Sequence, residues 1–176
     1  MSSRYYYQHT QPAILLRWIF SITIILTAIP LPATGLLGWI GFTIGLEILV
    51  LYAFYSLTVV VDSRALWFWF GPGFWRKRFL LAEIESVREV KNSWLHGWGI
   101  RYFIVLGGTR GWLYNVSGFD AVEFKMKNGK YYRIGTNDPS GLAQAVRSES
   151  THKNNQQANL SFDDFPYSRQ RISVLY

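Results

Sequence analysis

The chain has no cysteine. That removes disulfides, zinc–thiolate sites and thiol nucleophiles, and it suits a cytoplasm-facing protein. Its three histidines, His9, His96 and His152, are scattered, and no two share a helix face, so no metal site is expected. Charge is sparse, at 16% of residues, and acids are the scarcer sign: 11 Asp and Glu stand against 18 Lys and Arg. There is no Gly-x-Ser-x-Gly, no glycine loop ending in Lys-Ser/Thr and no dinucleotide fingerprint. Gly97-Trp98-Gly99 has the wrong spacing for a phosphate loop and reads as a tight turn or a ligand loop. With no nucleophile–base pair and no metal set in view, neither an enzyme nor a cofactor is expected.

What is present is apolar length. Residues 13–29 and 35–55 form two apolar runs with one charge each, Arg17 and Glu47, separated only by Pro30-Leu31-Pro32-Ala33-Thr34. A bilayer core takes roughly 17–25 apolar residues per helix. Ten Leu, Ile or Phe residues in the first run contribute about −3 to −6 kcal/mol of insertion energy. The expectation is a two-helix transmembrane hairpin over residues 13–55, behind an N-terminal flank of residues 1–12. Its turn is uncharged and both outer flanks are basic, which places both termini in the cytoplasm, or on the equivalent face of an organelle. Tyr5-Tyr6-Tyr7 then reads as an interfacial aromatic anchor. Intramembrane ionisable groups usually face protein or water, so Arg17 and Glu47 are expected to pair.

After Tyr55 the period changes. Ser56 to Val61 is β-branched, Leu66 to Phe70 is apolar on both faces, and Gly71-Pro72-Gly73 breaks the chain before Arg76 to Leu81. Ile84, Val87 and Val90 continue the pattern, Trp94 to Arg101 reads as a loop, and Tyr102 to Leu106 and Gly111 to Val116 follow. Val122, Phe124 and Met126 alternate with charged residues up to Asn128-Gly129, which signals a two-residue type I′ hairpin turn to Lys130–Ile134. Asp138-Pro139 is an N-cap with proline at N1, and Leu142, Ala145 and Val146 recur at helical spacing to about Glu149. Residues 56–149 therefore read as a small sheet-rich domain with a C-terminal helix, and residues 150–176 as a polar linker with an aromatic tail.

Gly97-Trp98-Gly99-Ile100-Arg101, Leu113-Tyr114-Asn115-Val116-Ser117-Gly118, Ala121-Val122-Glu123 and Arg133-Ile134-Gly135-Thr136-Asn137-Asp138-Pro139 together resemble the pattern of bacterial PH-like (pleckstrin-homology-like) domain membrane proteins. The resemblance covers roughly residues 12–150. It implies an α+β membrane protein, with the helical hairpin followed by a PH-like seven-stranded antiparallel barrel or sandwich and a capping helix. It implies no catalytic residues.

Residues 56–150 carry thirteen Lys and Arg against eight Asp and Glu. The basic residues interleave with acids rather than forming a stripe, so nucleic acid is not expected. Anionic lipid is the simpler acidic partner. Trp75, Arg76, Lys77 and Arg78 form the expected lipid-binding patch, with each cation near an anionic surface worth about 1 kcal/mol. Phe162, Phe165 and Tyr167 in the tail are expected to bind a protein partner. The functional expectation is a non-enzymatic integral membrane protein whose PH-like domain binds a protein partner, as an accessory or assembly subunit of a membrane complex. The alternative is an anionic-lipid-binding or lipid-sensing module.

Overall fold

In a computed structural model of the chain, residues 6–29, 37–93, 97–104, 108 and 110–163 are described. The apolar hairpin does not stand apart from the sheet domain. It is an insertion between two paired strands. β1 (Tyr7–Pro12) precedes helices α1 (Ile14–Ala28) and α2 (Leu37–Phe54), and β2 (Ser56–Val61) follows them. β1 and β2 pair antiparallel from Tyr7↔Val61 to Pro12↔Ser56, and the Ala13 N–H closes the ladder on the Tyr55 carbonyl at 2.8 Å. The flank expected to anchor at an interface thus supplies a strand. Its polar residues suit a sheet edge, where one side of the strand needs no apolar neighbour.

The expectation of a transmembrane hairpin is overturned. Among the described residues no helix is long and apolar enough to cross a membrane. At the hairpin base the apolar runs extend beyond the helices because those residues serve the sheet. Ala13 is fully buried in the domain core and Tyr55 accepts the last ladder bond. At 1.5 Å per residue the 15 residues of α1 span about 22 Å, against roughly 30 Å of hydrocarbon. The integral-membrane location, and the orientation with both termini cytoplasmic, lose their support with it.

The strands form two sheets. β1, β2, β3 (Ala65–Phe70) and β4 (Trp75–Leu80) make the first, in that order and all antiparallel. A 3₁₀ turn, Leu81–Glu83, leads into β5 (Ile84–Lys91), which pairs with β8 (Asp120–Met126). β6 (Gly99–Ile104), β7 (Arg110–Asn115) and β9 (Tyr131–Gly135) complete a second sheet of order β5-β8-β9-β7-β6. Here β7 and β9 run parallel. The expected seven-stranded antiparallel arrangement is therefore corrected to nine strands among the described residues, four and five per sheet, with one parallel pair. The β8–β9 connection is corrected too. Only Gly129 there has positive φ, at +78°, so the turn is not type I′. Met126 pairs with Lys130 across a three-residue loop, Lys127 to Gly129, with the glycine in the left-handed position.

The sheets pack face to face. Val59, Phe68 and Phe70 of the first meet Tyr114, Val122, Phe124 and Ile134 of the second. Phe68 lies 4.8 Å from Tyr114 and Phe79 lies 4.5 Å from Tyr132, centroid to centroid. α3 (Pro139–Asp163) closes one end with Leu142, Ala143 and Val146 buried in the same core. Its start is as expected: Asp138 caps it, Oδ1 accepting from the Gly141 N–H at 3.0 Å. On the second sheet a buried carboxylate, Glu123, accepts from Arg133 at 2.8 Å and from Arg88 at 2.7 Å, and the Arg133 guanidinium lies 4.2 Å from the Phe103 ring centroid.

Candidate functional site: a tryptophan–arginine face beside an exposed apolar hairpin

A strand alternates its side chains between faces, so a three-residue basic run on β4 cannot act as one patch. Arg76 and Arg78 lie on the outer face of the first sheet and Lys77 on the inner one. Register sets Trp69 opposite Arg76 and Trp67 opposite Arg78. The two guanidiniums sit 5.7 and 5.0 Å from those ring centroids. The result is a two-rung ladder of indole and guanidinium, each rung worth about 0.5–1 kcal/mol at an exposed site. Asp62 fixes its far end. Its carboxylate accepts from the Arg64 and Ala65 N–H groups, both at 2.7 Å, and from Trp67 Nε1 at 2.9 Å. Partial burial pushes the Asp62 pKa up, but these hydrogen bonds and the Arg78 charge outweigh it and hold the carboxyl below its ordinary value.

Lys77 turns into the space between the sheets. It donates to the Tyr114 hydroxyl and lies 5.0 and 5.6 Å from the Tyr114 and Tyr132 ring centroids. Burial, and then the neighbouring Tyr132, push the Tyr114 pKa up to about 12. Of the residues expected to bind lipid, Trp75, Arg76 and Arg78 are exposed, and Lys77 is half-buried and already engaged.

The ladder is joined to the hairpin by the β3–β4 turn. Gly71 there has φ +47° and donates its N–H to the Ser56 carbonyl at 2.9 Å. A Cβ on it would stand 2.6 Å from the Ala53 carbonyl oxygen and 2.7 Å from that of Tyr52, so the turn is seated directly against the last turn of α2. Phe74 then meets Tyr52 edge-on at 6.1 Å, and Phe70 meets Phe54 at 5.2 Å. Phe74 and Trp75 remain 73% and 55% exposed.

Among the described residues, most of the exposed large apolar side chains lie on the hairpin. α1 has no buried residue. Trp18, Ile25, Trp39, Phe42 and Leu49 are all more than half exposed, Trp39 reaching 71%. A groove of about 470 Å³ runs along its base, lined by Arg17, Ser21, Ile48, Leu51, Tyr52 and Tyr55. Arg17 and Glu47 do not form an ion pair. The Arg17 guanidinium lies 6.0 Å from the Tyr55 ring, and Glu47 accepts from Thr23 Oγ1 at 3.4 Å. The tail residues Phe165 and Tyr167, and the side chain of Phe162, lie outside the described residues.

In sequence the basic run stands apart from Leu66–Phe70, which reads only as a strand apolar on both faces. The signal that joins them is the spacing: Trp-x-Trp and Arg-x-Arg flank one Gly-Pro-Gly turn, so both pairs share a face of the hairpin. Among the described residues no three His, Asp or Glu side chains are grouped as a metal ion requires. No protein-family model matches the chain, and no curated protein matches it in sequence.

Proposed function

We propose that this chain is a non-enzymatic docking module that holds a protein partner on the α1–α2 hairpin and the adjoining tryptophan–arginine face, as an accessory or assembly subunit. The observation that carries this reading is the hairpin surface. A contiguous apolar patch of this kind marks an interaction site, and this one is set rigidly by ladder bonds at its base. Trp and Arg, the residues concentrated on the adjoining face, are those that dominate binding hot spots. The resemblance to PH-like domains, which implies no catalytic set, supports the same reading, as do two packed sheets closed at one end by a helix.

Photo-crosslinking tests it. A photoreactive residue placed at Phe42 on the hairpin and, separately, at exposed Leu80 beside the ladder is expected to give adducts of the same partner. The yield should fall at least fivefold in Arg76→Glu/Arg78→Glu, while a probe at exposed Lys127 gives none. Adducts of unrelated mass at the two positions, or equal yields in the charge-reversed chain, would remove the reading.

A second reading is favoured by the turn tip. Phe74 and Trp75 are exposed beside Arg76, an arrangement suited to an anionic lipid headgroup. Co-sedimentation with phosphatidylserine vesicles that weakens with salt, and is lost in the same double variant, is the outcome that selects it.

A further inference from the structure

A second aromatic and basic surface lies on the second sheet, beyond the edge strand β4 of the first. Cross-strand register sets Tyr102, Trp112, Tyr132 and Phe124 in one row on the face of the second sheet that looks toward the first. Phe124 is buried in the core, and Tyr132 is covered by Phe79 and Lys77 of the edge strand β4. The row then runs out from under the first sheet. Tyr102 and Trp112, in edge-on contact at 5.5 Å, are about half exposed. With Arg110, Lys130, Tyr131 and the Asn128-Gly129 turn they line a groove of about 390 Å³. Among the described residues neither Arg110 nor Lys130 has a carboxylate partner. The groove therefore offers aromatic rings and two unpaired cations to a ligand that carries aromatic groups and adjacent negative charge.

One segment of this chain has that chemistry. Phe162-Asp163-Asp164-Phe165-Pro166-Tyr167 holds the one pair of adjacent acids in the sequence, flanked by phenylalanine on both sides. The helix that leads to this segment and the groove lie at different edges of the second sheet. α3 packs on β5, β8, the 3₁₀ turn and β1, whereas the groove lies at the β7–β6 edge, the far side of a five-stranded sheet. From Val146, buried in the core, α3 continues to Asp163, about 25 Å at 1.5 Å per residue. We infer that residues 162–167 of a second copy dock in this groove, giving a two-fold pair in which each copy lends its segment to the other. The inference is independent of the partner reading above, which uses the opposite sheet and the hairpin.

Charge exchange tests it on the full chain. Arg110 and Lys130 are exposed, so reversing them leaves the fold intact. Arg110→Glu/Lys130→Glu is expected to weaken self-association at least tenfold in sedimentation equilibrium, and Asp163→Lys/Asp164→Lys to do the same. The chain carrying all four changes should regain most of the loss. Association through the apolar hairpin would ignore all three variants, and that result overturns the inference. Zero-length carbodiimide coupling of mixed light and heavy copies gives a second readout. Links from Asp163 or Asp164 to Lys130 that join one light and one heavy chain are expected. Links confined to a single chain, or none to Lys130, would overturn it as well.

Discussion

Gly71→Ala is the substitution that most directly probes how the hairpin is fixed to the sheet. Two separate costs are expected. Gly71 has φ +47°, and an L side chain in the left-handed region costs about 1–2 kcal/mol. The new Cβ would also stand 2.6 and 2.7 Å from two backbone carbonyl oxygens of α2, which cannot rotate away as a side chain would. Overpacking of this kind costs about 1–3 kcal/mol. The sum is about 2–5 kcal/mol. Gly129→Ala isolates the first cost, because Gly129 has φ +78° and nothing within 4 Å of its Cβ position. The assay is equilibrium urea unfolding of both variants beside the parent chain. Gly71→Ala should lose at least about 1 kcal/mol more than Gly129→Ala, and the contact of Phe74 with Tyr52 should loosen in near-ultraviolet circular dichroism. Equal losses would show that the α2 carbonyls do not clamp the turn, and the rigid link between hairpin and ladder would have to be abandoned.

Glu123→Gln leaves the buried Arg133 guanidinium without its counter-charge, and a loss of about 3–5 kcal/mol in urea unfolding is expected; a change under 1 kcal/mol would mean that Arg88 and Arg133 find other acceptors. Asp62 has its folded pKa below the ordinary 3.8, so it stabilises the fold at higher pH and loses that contribution as pH falls below about 4; Asp62→Asn should flatten the acid limb of a stability–pH curve. Tyr114 runs the other way: its folded pKa of about 12 lies above the ordinary 10, so its contribution is present below pH 10 and is lost as pH rises toward 12. Tyr114→Phe should remove that alkaline slope, read by thermal melts between pH 9 and 12.

The strands after Tyr55 were legible because their signals are local. Ser56 to Val61 is β-branched, Gly71-Pro72-Gly73 can only turn, and Val122 to Met126 alternates cleanly. β1 was not, because Gln8, His9, Thr10 and Gln11 carry no apolar alternation and their partner strand lies more than forty residues away. The hairpin was legible as apolar length but not as helix length, since tertiary pairing takes Ala13 and Tyr55 out of the helices. At the site, the sequence exposes three adjacent cations and period two divides them: Arg76 and Arg78 stack outward on indoles, and Lys77 turns inward onto tyrosines. Nothing in the composition distinguishes a free cation from one already occupied; register does.

Insertion between β1 and β2 has a consequence for how docking on the hairpin is felt elsewhere. A hairpin attached by one linker can tilt without disturbing its domain. This one leaves the sheet through Pro12 and returns through Ser56, register partners, so both legs must move together. The strand that takes up such a movement is β1, which lies at the edge of the first sheet and also holds the start of α3. Tyr7 donates to Asp138 Oδ2 at 3.1 Å, and His9 Nε2 lies 2.5 Å from Asn137 Oδ1. Asp138 is the residue that caps α3. Load on α1 therefore reaches the N-terminus of α3 through six residues of extended chain. The coupling is testable with Tyr7→Phe, which breaks the contact to the cap while leaving the ring in place. That variant is expected to speed amide exchange at Gly141 and Leu142. If the hairpin is mechanically joined to α3, partner binding should slow exchange at these two amides in the parent chain and leave it unchanged in Tyr7→Phe. Identical protection in the two chains would show that the hairpin and the helix respond independently.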